Sequence, residues 1–276
     1  MAAVPFVLAF AFAVLVPLTL RVAGVQREVP RRLVLAYPLC AACALVAILV
    51  SDGAAVILSL VWLAYCVLVA THGVARVLFP DGRRIEELCV AAGCGYLAVG
   101  GVWFVLWRSG VSVAGFGEHV PLLTAIHFHY AGFISLVLVG LTGRELRRRA
   151  GFTRRIFMPV ALVVIVGPAL VALGIAGVSG LEAPAAVVFA IATGSAAVLT
   201  LAGVVPNISG PLRRSLLALS AASAVVAMAL AVVYASGNAL GQNILSVEDM
   251  ARLHGLTNAF GYAFCGVLAW NLRGRL

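Results

Sequence analysis

The chain has 276 residues, 63% of them hydrophobic and 11% charged, with a mean hydropathy of +1.12 and a net charge of +9. Soluble domains carry about 25% charged residues, so this composition excludes a soluble globular protein. Repeated apolar runs of about 20 residues, parted by short polar patches, exclude a β-barrel, whose strands are shorter and alternate.

The expected fold is all-α: a polytopic transmembrane helical bundle of about nine spans. The first, Val4 to Leu20, is followed by Arg21, Arg27, Arg31 and Arg32 rather than preceded by charge, and reads as a retained helix, not a cleaved signal. Further spans are expected over Leu33 to Val50, Ala54 to Val74, Glu87 to Trp107, Val120 to Leu141, Ile156 to Ala176, Pro184 to Val205, Leu216 to Tyr234 and Met250 to Leu272. The whole chain, 1–276, forms one membrane domain, with N-terminal helices over 1–80 and a core over 85–272.

All 19 basic residues are arginine. Alternate connections and the C-terminus hold seventeen of them, among them Arg76, Arg83, Arg84, Arg144, Arg147, Arg148, Arg149, Arg213, Arg214, Arg273 and Arg275, whereas only Arg108 and Arg252 fall on the other side. The positive-inside rule then places the N-terminus outside and the C-terminus in the cytoplasm. It also accounts for the basic charge without nucleic acid as a partner. Pro168 is expected to kink the sixth span, and Gly93, Gly95, Gly100 and Gly101 give the fourth a face for close packing. The six cysteines lie in apolar runs and imply no disulfide framework.

Two stretches place ionisable groups inside spans, where each carries a desolvation cost. One runs Thr124-Ala125-Ile126-His127-Phe128-His129-Tyr130; the other runs His254-Gly255-Leu256-Thr257-Asn258-Ala259-Phe260-Gly261-Tyr262. Helical rise puts His127 about 10 Å, His254 about 6 Å and Asn258 about 12 Å from the outer ends of their spans, the condition for one shared pocket. His254, Asn258, Tyr262 and Cys265 form a stripe on the ninth helix, and Ser246-Val247-Glu248-Asp249 ahead of it resembles a capping box. His127 and His129, two positions apart, diverge by about 200 degrees. His127 is expected to face a cavity and His129 to be a buried, hydrogen-bonded support; the reverse assignment is the alternative. Ordinary interhelical hydrogen bonding is the plainer reading of these groups. Glu86 and Glu87 open the fourth span, as a second polar site or as acidic residues favoured at a helix N-terminus. Trp103 and Trp107 read as an interfacial belt or a site wall, and Glu118, Glu182, Glu248 and Asp249 as a solvated outer rim.

Ile85-Glu86-Glu87-Leu88, the Gly-Tyr-Leu-Ala-Val-Gly-Gly-Val-Trp stretch ending at Trp103, the His-Phe-His-Tyr segment from His127 and the His-Gly-Leu-Thr-Asn-Ala segment from His254 together resemble the YndJ-like family of bacterial membrane proteins. The resemblance implies that Glu87, His127, His129, His254 and Asn258 belong together, and it supplies no reaction. Ala91 and Ala92 depart from the acidic residue expected after the Glu-Glu pair. A histidine near its ordinary pKa of about 6.5 exchanges a proton at neutral pH. The leading expectation is therefore an enzyme that isomerises, cyclises or hydrates a lipophilic small molecule such as an isoprenoid or polyketide. In it His127, His254 and Asn258 are catalytic, while His129, Tyr130, Thr124, Trp103, Tyr262 and Glu87 contact substrate, with membrane lipids as surroundings and no metal or cofactor. A transporter is the alternative, and a haem or metal protein with His127 and His254 as ligands the third reading.

Overall fold

This computed structural model describes residues 4–27, 29–111, 119–147, 152–175, 178, 180–242 and 244–272; of these, 27, 80, 81, 119 and 152–154 are described by backbone alone. Glu118, Arg148, Arg149, Arg273 and Arg275 lie outside the described residues. Among those residues the secondary structure is helical throughout, with no strand. Eight helices are long and apolar enough to cross a membrane. They are α1 (Val4–Ala23), α2 (Arg31–Leu49), α3 (Gly53–Leu78), α4 (Ile85–Ser109), α5 (Val120–Leu146), α6 (Arg155–Ile175), α7 (Glu182–Asn207) and α8 (Pro211–Ala239). The chain is a multi-pass, all-α membrane protein.

The ninth expected span, α9, is helical over 247–271 with alternating α and π turns, and is not among the eight helices long and apolar enough to cross a membrane. Its start follows the capping chemistry of its sequence. The Ser246 hydroxyl accepts from the Asp249 N–H at 3.0 Å and donates to the Asp249 carboxylate at 2.8 Å. Asp52 caps α3 in the same way, accepting from the Ala54 N–H at 2.9 Å. Gly110 ends α4 in the left-handed region, at φ 65°, a conformation glycine enters without steric cost. α6 runs on through Pro159 and Pro168.

The helices divide into two compact units, Met1–Val137 and Leu138–Leu276. In the first, Phe12 of α1, Trp62 of α3 and Phe104 of α4 are all fully buried, with Phe12 ring centroids 4.5 Å from Trp62 and 5.0 Å from Phe104. At one end of this unit Arg76 pairs with Glu87 at 2.9 Å and also donates to the Ala23 carbonyl at 3.3 Å. In the second unit α6 meets α7 where the Phe189 ring seats over Gly167; a Cβ there would lie 2.2 Å from the ring. α8 and α9 meet through Gly261 against Ser223 and Gly266 against Ser220.

Candidate functional site

His129 sits inside the first unit, 0% exposed. Its Nδ1 lies 2.8 Å from the Ala125 carbonyl oxygen, and the Trp62 indole N–H donates to its Nε2 at 3.3 Å. A carbonyl only accepts and an indole only donates, so the ring is neutral with its one proton on Nδ1. A second proton would set two N–H donors against each other. Phe12 packs edge-on to the ring at 5.1 Å, the Tyr37 hydroxyl donates to the Phe12 carbonyl, and the Tyr130 hydroxyl donates to the Val7 carbonyl at 2.8 Å. His129 is thus the buried, hydrogen-bonded support expected of it, and Tyr130 is likewise buried, its hydroxyl committed to α1. α1, α3 and α5 are stitched together by them.

The other expected residues of the first unit lie around this core. His127 is half-buried where α5 passes from α to π turns, its ring edge-on to Phe128 at 5.4 Å. The Thr124 hydroxyl donates to the Val120 carbonyl at 2.7 Å, Trp103 is half-buried on α4, and Glu87 is held by Arg76.

In the second unit the His254 Nδ1 lies 2.8 Å from the Ala227 carbonyl oxygen of α8, and its Nε2 lies 2.8 Å from the Asn258 amide nitrogen. The carbonyl fixes a proton on Nδ1, and the amide N–H donates to Nε2. Here the partner differs from an indole in one respect, because a side-chain amide carries a donor and an acceptor on the same pivot. Turned by half a revolution, Asn258 offers its oxygen to a protonated Nε2. His254 therefore has a hydrogen-bonded partner in either charge state, and His129 in one only. Tyr262, two turns beyond His254, lines a cavity of about 20 Å³ together with Thr142, Thr200, Ser220 and Trp270, enough for one water. His254, Asn258 and Tyr262 belong to the second unit and His127 to the first. Among the described residues no three His, Cys, Asp or Glu side chains are placed to hold a metal ion.

Residues 6–262 match the family described as YndJ-like protein. The chain belongs to this family. The match extends well before residue 85, where the resemblance read from motifs began. A relative in Bacillus subtilis (strain 168), named "Uncharacterized membrane protein YndJ", is 30% identical over 240 residues, which is 87% of this chain and 42% of the relative. The chain thus spans less than half the length of the curated relative it matches. No solved structure matches it.

Two features of this YndJ-like chain escaped the sequence reading. Both histidine stretches run into π segments, Phe128–Ile134 on α5, which holds His129 but not His127, and Met250–His254 and Thr257–Phe264 on α9. Such segments cluster at functional sites. The second is Trp62, whose signal was its place mid-span rather than in an interfacial belt. Trp62→Phe keeps an aromatic ring but leaves the buried Nε2 of His129 with no donor. It is expected to cost about 1–3 kcal/mol, the penalty of an unsatisfied buried polar atom, read as a lowered unfolding midpoint in nanodiscs; an unchanged midpoint would refute the tautomer assignment.

Proposed function

We propose that this protein is an integral membrane enzyme of the bacterial inner membrane that converts a lipophilic small molecule by acid–base chemistry: isomerisation, cyclisation or hydration of an isoprenoid- or polyketide-type substrate. The observation that carries this reading is the His254–Asn258 pair, an intramembrane imidazole with a hydrogen-bonded partner before and after protonation. General acid–base catalysis needs a group that passes between two protonation states with little rearrangement, and a rotating amide supplies that in a medium where an unmatched donor is costly. His127, in the other unit, is a second candidate proton carrier by its sequence context, and Tyr262, two turns along α9 from His254, lines the neighbouring cavity. The arginine distribution supports an N-terminus outside and both histidines nearer the outer face.

The test uses the purified protein in proteoliposomes, given a pool of isoprenoid and polyketide alcohols and followed by mass spectrometry for products of unchanged mass or with one added water. The parent is expected to accumulate a rearranged or hydrated product, and His254→Gln to slow this by about 10²–10⁴-fold, the usual contribution of a general acid or base. A variant as fast as the parent removes His254 from the chemistry.

Transport is the second reading. It is favoured by the line of His254, Asn258 and Tyr262 leading to the hydroxyl-lined cavity of Thr142, Thr200 and Ser220, a polar track of the kind that carries protons through transporters. Movement of a substrate across sealed vesicles without chemical change would decide for it.

A further inference from the structure

α8 and α9 run antiparallel, with Ser220, Ser223 and Ala227 of the one facing Gly266, Gly261 and His254 of the other. At one end they are in close contact. A Cβ on Gly266 would stand 2.6 Å from the Ser220 hydroxyl and one on Gly261 2.4 Å from that of Ser223, so glycine is what lets the two backbones approach. One to two turns further along, the His254 side chain fills the gap and reaches the Ala227 carbonyl. Where α8 ends and the chain enters α9 there is a shallow, open depression of about 450 Å³, lined by Tyr234, Asn238, Leu245, Ser246 and Val247, of which Asn238, Ser246 and Val247 are exposed. The helix pair is thus closed by glycines at one end, bridged by the histidine, and bordered by this depression at the other.

The open end has a definite chemistry. Tyr234 and Asn238 lie one turn apart on α8, and neither side chain makes a hydrogen bond among the described residues. The Ser246 hydroxyl is already engaged with Asp249. None of the five lining side chains is charged, and Leu240, Ile244, Val247 and Leu253 around them are exposed. The volume is that of a small-molecule site. A phenol and an amide together both donate and accept, which suits a hydroxyl or a carbonyl. A charged head would find no counter-charge among the five lining side chains, the Asp249 carboxylate beside them being already bonded by Ser246 and paired with Arg252.

Seven residues separate Tyr234 from Ala227 on α8, and seven separate Val247 from His254 on α9, so both helices place the histidine about 10 Å inward of the opening. We infer that this depression at the α8–α9 connection binds an uncharged amphiphile, its hydroxyl or carbonyl head held by Tyr234 and Asn238 and its apolar body lying along the helix pair toward His254. The head-group site stands independently; delivery to a reacting histidine rests on the proton-exchanging role of the His254–Asn258 pair.

A twelve-carbon alcohol carrying a diazirine beside the hydroxyl tests this, with the matching carboxylate and trimethylammonium compounds as comparisons. Each is photolysed with the full chain in nanodiscs and the label located by mass spectrometry. The alcohol should label peptides spanning 234–247, about fivefold more than either charged analogue. Tyr234→Phe, which keeps the ring and its packing, should reduce that labelling by about threefold, and Tyr234→Phe with Asn238→Leu by about tenfold, as two hydrogen bonds are lost. Labelling elsewhere, equal labelling by all three heads, or labelling indifferent to Tyr234 and Asn238 overturns the site. Ring ¹⁵N shifts of His254 between about pH 5 and 8, the range in which histidine ordinarily titrates, are measured on the same samples. Labelling that follows expectation beside a His254 that never takes a second proton defeats the proton pair alone. The opposite pattern defeats the binding site alone.

Discussion

Turnover by an Asn258→Leu variant is expected to fall by about 10²-fold or more, within the range attributed to a positioned acid–base group, with kcat carrying the loss and KM little changed. Leucine is close to asparagine in size and its side chain takes part in no hydrogen bond, so the helix keeps its packing while Nε2 of His254 loses its side-chain partner among the described residues. The neutral ring would remain tethered through Nδ1 to the Ala227 carbonyl. What disappears is the acceptor that a protonated Nε2 needs, so the charged state becomes an unmatched donor in an apolar setting. A proton-transfer step suffers from that; substrate binding does not. Asn258→Gln should recover little, because the longer side chain carries the amide past the nitrogen it must meet. If kcat for Asn258→Leu matches the parent, or if KM alone changes, the amide is packing material and the pair has no chemical role.

How much of this was legible in the chain differs from element to element. Apolar runs and arginine clusters located the helices, and their ends were misjudged where local backbone chemistry carries a helix past its apolar core. The eighth span, expected over Leu216 to Tyr234, runs from Pro211 to Ala239, because proline in the first turn and the polar Ser236-Gly237-Asn238 continue the helix beyond what hydropathy registers. The bond between His254 and Asn258 followed from their four-residue spacing. That His129 lies on the side of Ala125 followed from phase alone, and its Nδ1 is bonded to that residue's carbonyl. The Trp62 partner, 67 residues away, could not follow from any local pattern, since it depends on how α3 and α5 pack. Nor could the π segments: widening a turn by one residue alters neither composition nor hydropathy, yet it changes the phase of every side chain beyond it. Tyr234 and Asn238 were passed over for a related reason. A tyrosine near a helix end is ordinary in a membrane protein, and only the course of the α8–α9 connection makes it part of an opening.

The contact between Gly100 and His129 yields the largest stability effect. A Cβ at Gly100 would stand 2.6 Å from Nδ1 and 2.8 Å from Cε1 of the His129 ring, and 3.3 Å from the Phe128 Cβ. A flexible neighbour would turn aside at little cost, but this ring is fixed by the Ala125 carbonyl on one side, the Trp62 indole on the other and Phe12 against its face. Relief requires α4 and α5 to move apart, and Gly93, where a Cβ would lie 3.2 Å from the Phe133 carbonyl oxygen, leaves little slack one to two turns away. Gly100→Ala is therefore expected to destabilise the first unit by about 3 kcal/mol, the upper end for overpacking a filled core. His129→Ala should cost a similar amount, through the cavity it leaves and the unpaired Trp62 donor. The informative measurement is the double variant, because removing the ring vacates the space that the new methyl group needs. Gly100→Ala with His129→Ala should be more stable than the sum of the two single changes by at least about 1 kcal/mol, a coupling typical of residues in direct contact. Strict additivity would mean that the helices separate without strain, and that the glycine at position 100 answers to something other than the histidine packed against it.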